Sequence, residues 1–269
     1  MRKQTKLVAV LSAAALLAVG ASMTSFAGWE KDEDGIWHYY DSDDEMVTDE
    51  WRKDGSKWFY LDEDGNMATD AWVDDEYYVG ADGAMVKNDW VKTTADEDVS
   101  DPDDDGDHWY YFDNKGKKVT SEDKKINGRT YYFNEDGEMR YGWHQDSDGD
   151  VFYLGEEDEG WRAESQWLWL ELPSEDDVDR NGVGFDNDDC ATCDEEGWYY
   201  FGSNGKMYQS SKKKKVNGKY YFFNKHGQMV YEWINNHKYA AHKNTTPSGA
   251  EPNKATASNM LDGNVADGD

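Results

Sequence analysis

The sequence predicts an all-β chain, a solenoid of about eight stacked β-hairpins carrying acidic loop insertions. Short aromatic runs recur at near-constant spacing, most are followed by a turn and then a Met, and none of the four prolines falls in a predicted strand. The unit is clearest in residues 51–72, WRKDGSKWFYLDEDGNMATDAW. Residues 56–61 are aromatic and β-prone, 62–65 form a turn with Gly65 where positive φ is wanted, and 66–72 read as a second strand. An isolated two-stranded hairpin is barely stable in water, so this unit must stack on copies of itself.

The copies are anchored by aromatic pairs: Tyr39-Tyr40, Phe59-Tyr60, Tyr77-Tyr78, Tyr110-Tyr111, Tyr131-Tyr132, Phe152-Tyr153, Tyr199-Tyr200 and Tyr221-Phe222. Six pairs are followed by a turn glycine: Gly65, Gly83, Gly116, Gly137, Gly205 and Gly227. Two places beyond the glycine stands Met67, Met85, Met139, Met207 or Met229, with Lys118 the exception. The second strands close on Trp51, Trp72, Trp90, Trp143, Trp167 and Trp233, whereas two hairpins end instead in the lysine runs SEDKKINGRT and SSKKKKVNGKY. Residues 90–143 and 167–233 therefore read as a larger duplication, each with an acidic loop, a WYYF strand, a lysine run, Asn-Gly and a YYFN strand.

Residues 1–27 read as a secretory signal peptide, with Arg2, Lys3 and Lys6 before the apolar run 7–19 and small residues at Ser25 and Ala27. The repeats occupy 28–238 and a polar tail 239–269. Removing the leader's three cations leaves 25 Lys and Arg against 58 Asp and Glu, a formal charge of −33. Such a chain repels nucleic acid, and after the leader nothing is apolar enough to span a membrane.

GW, then WYY or WFY, then DEDGNM, then a closing Trp resembles the cell-wall-binding (choline-binding) repeat of Gram-positive secreted proteins. KKINGRTYYFNEDGEM is similar to the related repeats of glucan-binding proteins and clostridial toxin C-termini. The resemblance implies a left-handed β-solenoid of choline-binding-repeat type, with ligand held between neighbouring hairpins by aromatics and a Met. Carried over, the ligand-binding positions are Trp29 and Trp37 with Trp51; Trp51, Trp58 and Met67 with Trp72 and Tyr78; and Trp143 with Trp167. Trp and Tyr faces suit a quaternary ammonium by cation–π attraction and can also stack on sugar rings. Glu76, Thr130 and Val151 stand where the first-strand Trp is expected, which leaves those sites incomplete. The Tyr-Tyr pairs are weighted towards packing of hairpin on hairpin, the closing Trp residues slightly towards ligand contact.

Cys190 and Cys193 are the only cysteines, and a local disulfide or a pair of free thiols is open to them. DPDDDGD at 101–107 starts like a calcium loop, but its twelfth position is Phe112 rather than Glu, so no metal site is assigned. No nucleophile, metalloprotease or phosphate-loop motif is present. The sequence thus reads as a secreted, cell-wall-associated, non-enzymatic binding module without cofactor. Its expected partner is a cell-wall polymer, choline-decorated teichoic acid or glucan. Alternatives are a general polysaccharide-binding module and a structural spacer contacting a partner protein.

Overall fold

The computed structural model describes residues 28–94, 106–173, 193–234 and 237–240. Its elements are strands: β1 (Gly28–Lys31), β2 (Trp37–Tyr40), β3 (Glu50–Asp54), β4 (Lys57–Leu61), β5 (Ala71–Val73), β6 (Tyr77–Val79), β7 (Asp89–Thr93), β8 (His108–Phe112), β9 (Asp123–Ile126), β10 (Arg129–Tyr132), β11 (Trp143–Gln145), β12 (Val151–Tyr153), β13 (Gln166–Glu171), β14 (Glu196–Phe201), β15 (Ser211–Val216), β16 (Lys219–Phe223), β17 (Met229–Ile234) and β18 (His237–Ala240). They form seven two-stranded sheets of consecutive strands and one four-stranded sheet, β15 to β18. β18 reaches Ala240, two residues past the expected end of the repeats at 238. The chain falls into two compact units. One comprises the residues up to Gly106 with Tyr111–Lys118, and the other comprises Asp107–Tyr110 with the chain from Val119.

The all-β repeat architecture stands, but the strand pairing differs from the sequence reading. Trp51 does not close the hairpin before it; it opens the next one, with Trp51 opposite Tyr60 and Lys53 opposite Trp58 across a two-residue loop in which Gly55 has φ 57°. The DEDGNM segment links two hairpins, and only the isolated bridge Leu61 to Met67 pairs across it. The reason is a residue in the left-handed region just before each Trp strand: Asp49, Asp70, Asn88 and Ser165 all have φ of 51–54°. Asp and Asn tolerate that region better than most residues, and there the chain leaves the old strand. Each kink is held twice in unit 1. The amides of Asp49, Asp70 and Asn88 donate to the carbonyls of Asp62, Gly80 and Asp113 in the following turn, at 2.9–3.0 Å. Their side chains accept from the hydroxyls of Tyr60, Tyr78 and Tyr111.

Rungs are joined by a second recurring bond. The amide two places past the turn glycine donates to the carbonyl at the start of the previous aromatic strand: Met67 to Trp37, Met85 to Trp58 and Lys118 to Glu76 in the first unit, Met139 to Trp109, Arg162 to Thr130 and Met207 to Val151 in the second, all at 2.7–2.8 Å. The thioethers then lie over the next turn. A Cβ built on Gly83 would sit 2.6 Å from Met67 Cε and 2.9 Å from its sulfur, and one on Gly65 would sit 2.9 Å from Met46. Gly and Met recur together because each Met fills the space a turn side chain would need.

From the second hairpin on, the innermost position is the residue after the aromatic pair. Leu61, Val79, Phe112, Leu154, Phe201 and Phe223 are all fully buried. In the second unit two clusters grow around it, one with Trp143, Tyr153, Leu168, Tyr199 and Phe201, the other with Trp167, Trp198, Tyr200, Tyr221 and Phe223. The lysine runs β9 and β15 turn back through Asn127-Gly128 and Asn217-Gly218, both residues of each pair at positive φ, the backbone of a tight two-residue hairpin.

Gly83→Ala combines left-handed strain with a clash on Met67 and should lower stability by roughly 2–4 kcal/mol. Gly55, at φ 57° with nothing within 4 Å of its built Cβ, carries strain alone. Gly55→Ala should therefore cost only about 1 kcal/mol. Urea denaturation of the two variants checks the order, and equal losses would remove the peg from the account.

Candidate ligand site

Cross-strand register decides which aromatics share a face, because partners opposite one another and residues two apart point to the same side. On β1-β2 this places Trp29, Lys31, Trp37 and Tyr39 together, and on β3-β4 it places Trp51, Lys53, Trp58 and Tyr60 together. Trp72 and Tyr78 share a face of β5-β6, with Glu76 where Trp37 and Trp58 stand in the earlier hairpins. The register of β13-β14 puts Trp167, Trp169, Trp198 and Tyr200 on one face. Trp198 was legible from its WYYF context, which matches Trp37 and Trp58, yet it is absent from the expected set.

The Trp that opens each hairpin packs between its own aromatic strand and the next. Trp29 lies 5.3 Å from both Tyr39 and Phe59, and Trp51 lies 5.2 Å from Tyr60 and 5.7 Å from Tyr77. Trp72 lies 5.4 Å from Tyr78 and 5.6 Å from Phe112, and its Nε1 donates to the Thr94 carbonyl at 2.8 Å. Trp143 contacts Tyr153 and Tyr199 at 5.3 and 4.9 Å, and Trp167 contacts Tyr200 and Tyr221 at 5.1 and 4.9 Å. Trp143 and Trp167 are buried, at 4% and 8% exposure, whereas Trp29, Trp37, Trp51, Trp58 and Trp72 are half-buried. Met67 is half-buried on the Gly83 turn, and Tyr78 is buried with its hydroxyl on Asp70 at 2.8 Å.

Trp37 and Trp58 have a different environment. The Lys31 ammonium lies 5.6 Å from the Trp37 ring centre and the Lys53 ammonium 5.8 Å from that of Trp58. These are solvent-exposed cation–π contacts, worth about 0.5–1 kcal/mol. Burial, and then the Asp49 carboxylate, hold the neighbouring Tyr60 hydroxyl well above the usual tyrosine range, so it stays a neutral hydrogen-bond donor. Where the first-strand Trp is missing, cations of the chain also meet aromatic rings: Arg162 lies 6.0 Å from Tyr132 and 5.8 Å from Phe152.

Asp146, Asp148 and Asp150 bring three carboxylate oxygens within 4.8 Å of one another, a grouping the sequence reading passed over. The Asp146 carboxylate already accepts from the amides of Asp148 and Asp150, and Lys206 pairs with Asp150. The calcium-like segment 101–105 lies outside the described residues. Cys193 is disulfide-bonded, and Cys190, the other cysteine of the chain, lies outside the described residues.

Models of the choline-binding repeat match residues 45–85 and 66–95, and a further choline-binding-repeat model matches 119–167. A putative cell wall binding repeat matches 27–43, 104–118 and 193–207. The chain belongs to the choline-binding repeat family. Among solved structures, choline binding protein F from Streptococcus pneumoniae is 26% identical with a TM-score of 0.48, the alignment covering 76% of this chain and 57% of that one. The choline-binding domain of CbpL from the same organism is 26% identical with a TM-score of 0.46, covering 76% and 97% respectively. The modular autolysin LytC of S. pneumoniae is 20% identical, with a TM-score of 0.36 and coverage of 80% and 51%. The chain thus spans little more than half of choline binding protein F and of LytC. None of the curated protein sequences matches it.

Where two successive hairpins have Thr130 and Val151 in place of Trp, His144 packs 5.1 Å from Tyr132, and its Nδ1 is buried without a hydrogen-bond partner. Burial, reinforced by Arg140, lowers its pKa from 6.5 to about 4. The folded state therefore binds fewer protons than the unfolded state between these values, so the stability His144 permits above pH 6.5 is lost as pH falls towards 4. His144→Asn should lose about 1–2 kcal/mol less than wild type over that window, after discounting for partial exposure. Parallel urea titrations at the two ends measure the difference, and superimposable losses would contradict a depressed His144.

Proposed function

We propose that this choline-binding-repeat chain is a secreted, non-catalytic module that docks on the cell envelope. It does so by taking quaternary ammonium groups of a choline-bearing wall polymer on the aromatic faces of its first two hairpins. Residues 1–27, outside the described residues, are the leader in this reading. The ligand faces are Trp29 and Trp37 with Tyr39, and Trp51 and Trp58 with Tyr60. The observation that carries the reading is the pair of ammonium groups already lying over Trp37 and Trp58. Both faces suit a cation, and both lysines are solvent-exposed, so a ligand that brings its own cation and methyl groups displaces them at little cost. The chain's formal charge of −30 before leader removal favours a polymer presenting cations over bare anionic wall polymer. A neutral glucan would use the same rings by stacking alone, without replacing the charge of the lysines.

The test must separate choline recognition from ion exchange, because so acidic a protein binds any cationic resin at low salt. At about 1 M salt the Debye length is near 3 Å and ion exchange collapses. Wild type should stay on a quaternary-amine resin there and elute with choline, but not with its uncharged isostere 3,3-dimethylbutan-1-ol. Trp58→Ala should weaken retention several-fold while Ile36→Ala, at an exposed aliphatic position, leaves it unchanged. Elution by both compounds, or by a glucan oligosaccharide alone, would replace the ammonium reading with a neutral-sugar one. Folded Trp58→Ala with full retention would remove that face from the site.

A further inference from the structure

The third rung of unit 1 departs from its neighbours in two places at once. Lys118 stands where Met67 and Met85 stand and makes the same backbone bond, its amide donating to the Glu76 carbonyl at 2.7 Å. Glu76 in turn stands where the earlier rungs have Trp37 and Trp58. The Lys118 side chain is only 6% exposed. Its ammonium reaches Asp75 at 2.6 Å and lies 5.0 Å from the Trp72 ring centre. Asp74 and Asp75 both take left-handed backbone conformations, at φ 55° and 54°, in the turn that presents this carboxylate. Tyr78 and Phe112 close the Trp72 ring from other sides. Glu76 is separately neutralised by Lys117 at 2.7 Å.

We propose that Lys118 is the resident cation of an ammonium site built from Trp72, Tyr78 and Asp75, so that this rung is filled by the chain itself and excludes an external quaternary ammonium. The assignment rests on the reading that the equivalent faces of the first two hairpins take cations, and it sets which rungs are open. At Trp58 the competing ammonium is exposed and lacks a carboxylate contact among the described residues, so a ligand displaces it. At Trp72 the ammonium is buried and ion-paired, and a ligand would have to leave Asp75 facing an expelled lysine. Lys118 is therefore a specificity-determining residue: it decides the number of sites per chain.

Lys118→Met, which restores the residue of the neighbouring rungs, should vacate the ring and leave Asp75 as a ready counter-ion. Equilibrium dialysis of the full chain with labelled choline should give one more bound equivalent for Lys118→Met than for wild type. The double variant Lys118→Met/Asp75→Asn should lose that extra equivalent. A second readout is independent of whether wild type binds choline at all. Tetramethylammonium chloride, compared with equimolar sodium chloride, should raise the melting temperature of Lys118→Met, and of Lys118→Ala, by more than it raises that of wild type. If wild type binds no choline but the variants are stabilised by tetramethylammonium, the proposed function fails and the self-filled site stands. If the variants bind no additional choline and gain no more from tetramethylammonium than wild type does, Lys118 is a structural ion pair and the proposal is overturned.

Discussion

A two-stranded sheet has two edges and no interior, and the first seven sheets of this protein are all of that kind. What the structure depends on is the backbone bond from each linker to the carbonyl of the rung before it, repeated at Met67, Met85, Lys118, Met139, Arg162 and Met207. It gives each short hairpin a neighbour it could not otherwise hold, and it fixes the register in which aromatic rings meet between rungs. The glycine turns follow from it, since a peg held at that height needs an empty place above it.

The acidic composition serves the same arrangement. Asp41, Asp62, Asp113 and Asp146 open turns and accept backbone amides two and four residues on, at 2.7–3.1 Å. Asp49 and Asp70 hold the kinks and receive tyrosine hydroxyls. A short carboxylate that accepts nearby donors and tolerates left-handed backbone is the side chain these positions ask for. Repulsion between such groups on different rungs is limited by screening over about 8–10 Å at ordinary salt. Arg52, Lys118 and Arg162 settle where both a carboxylate and a ring face are within reach.

The repeat, the all-β class and the rungs that lack a first-strand Trp were legible because side-chain identity recurs at fixed spacing. Strand pairing was not. A turn such as Asp62 to Gly65 reads as a hairpin turn from composition, and it does make one bridge, Leu61 to Met67, before Asp70 redirects the chain. That redirection is carried by the φ of one ordinary Asp, which spacing does not reveal. The innermost position was also overlooked, because Leu61, Val79 and Phe112 have no chemical type in common and stand beside the more conspicuous tyrosines. The cations over Trp37, Trp58 and Trp72 were hidden for a different reason. Lys53 and Trp58 look close in sequence, but Lys118 and Trp72 meet only through the stacking of rungs.

The rung bond is made by main-chain atoms, so it survives whatever side chain stands at the strand start: Trp37, Trp58 and Trp109 accept it, and so do Glu76, Thr130 and Val151. Losing the Trp at a strand start therefore removes an aromatic face without costing a rung. The Trp that opens each hairpin is under the opposite constraint, since Trp29, Trp51, Trp72, Trp143 and Trp167 each pack against aromatics of two successive rungs. The strand-start position can therefore change identity without loss of a rung, whereas the opening Trp is tied to two rungs at once.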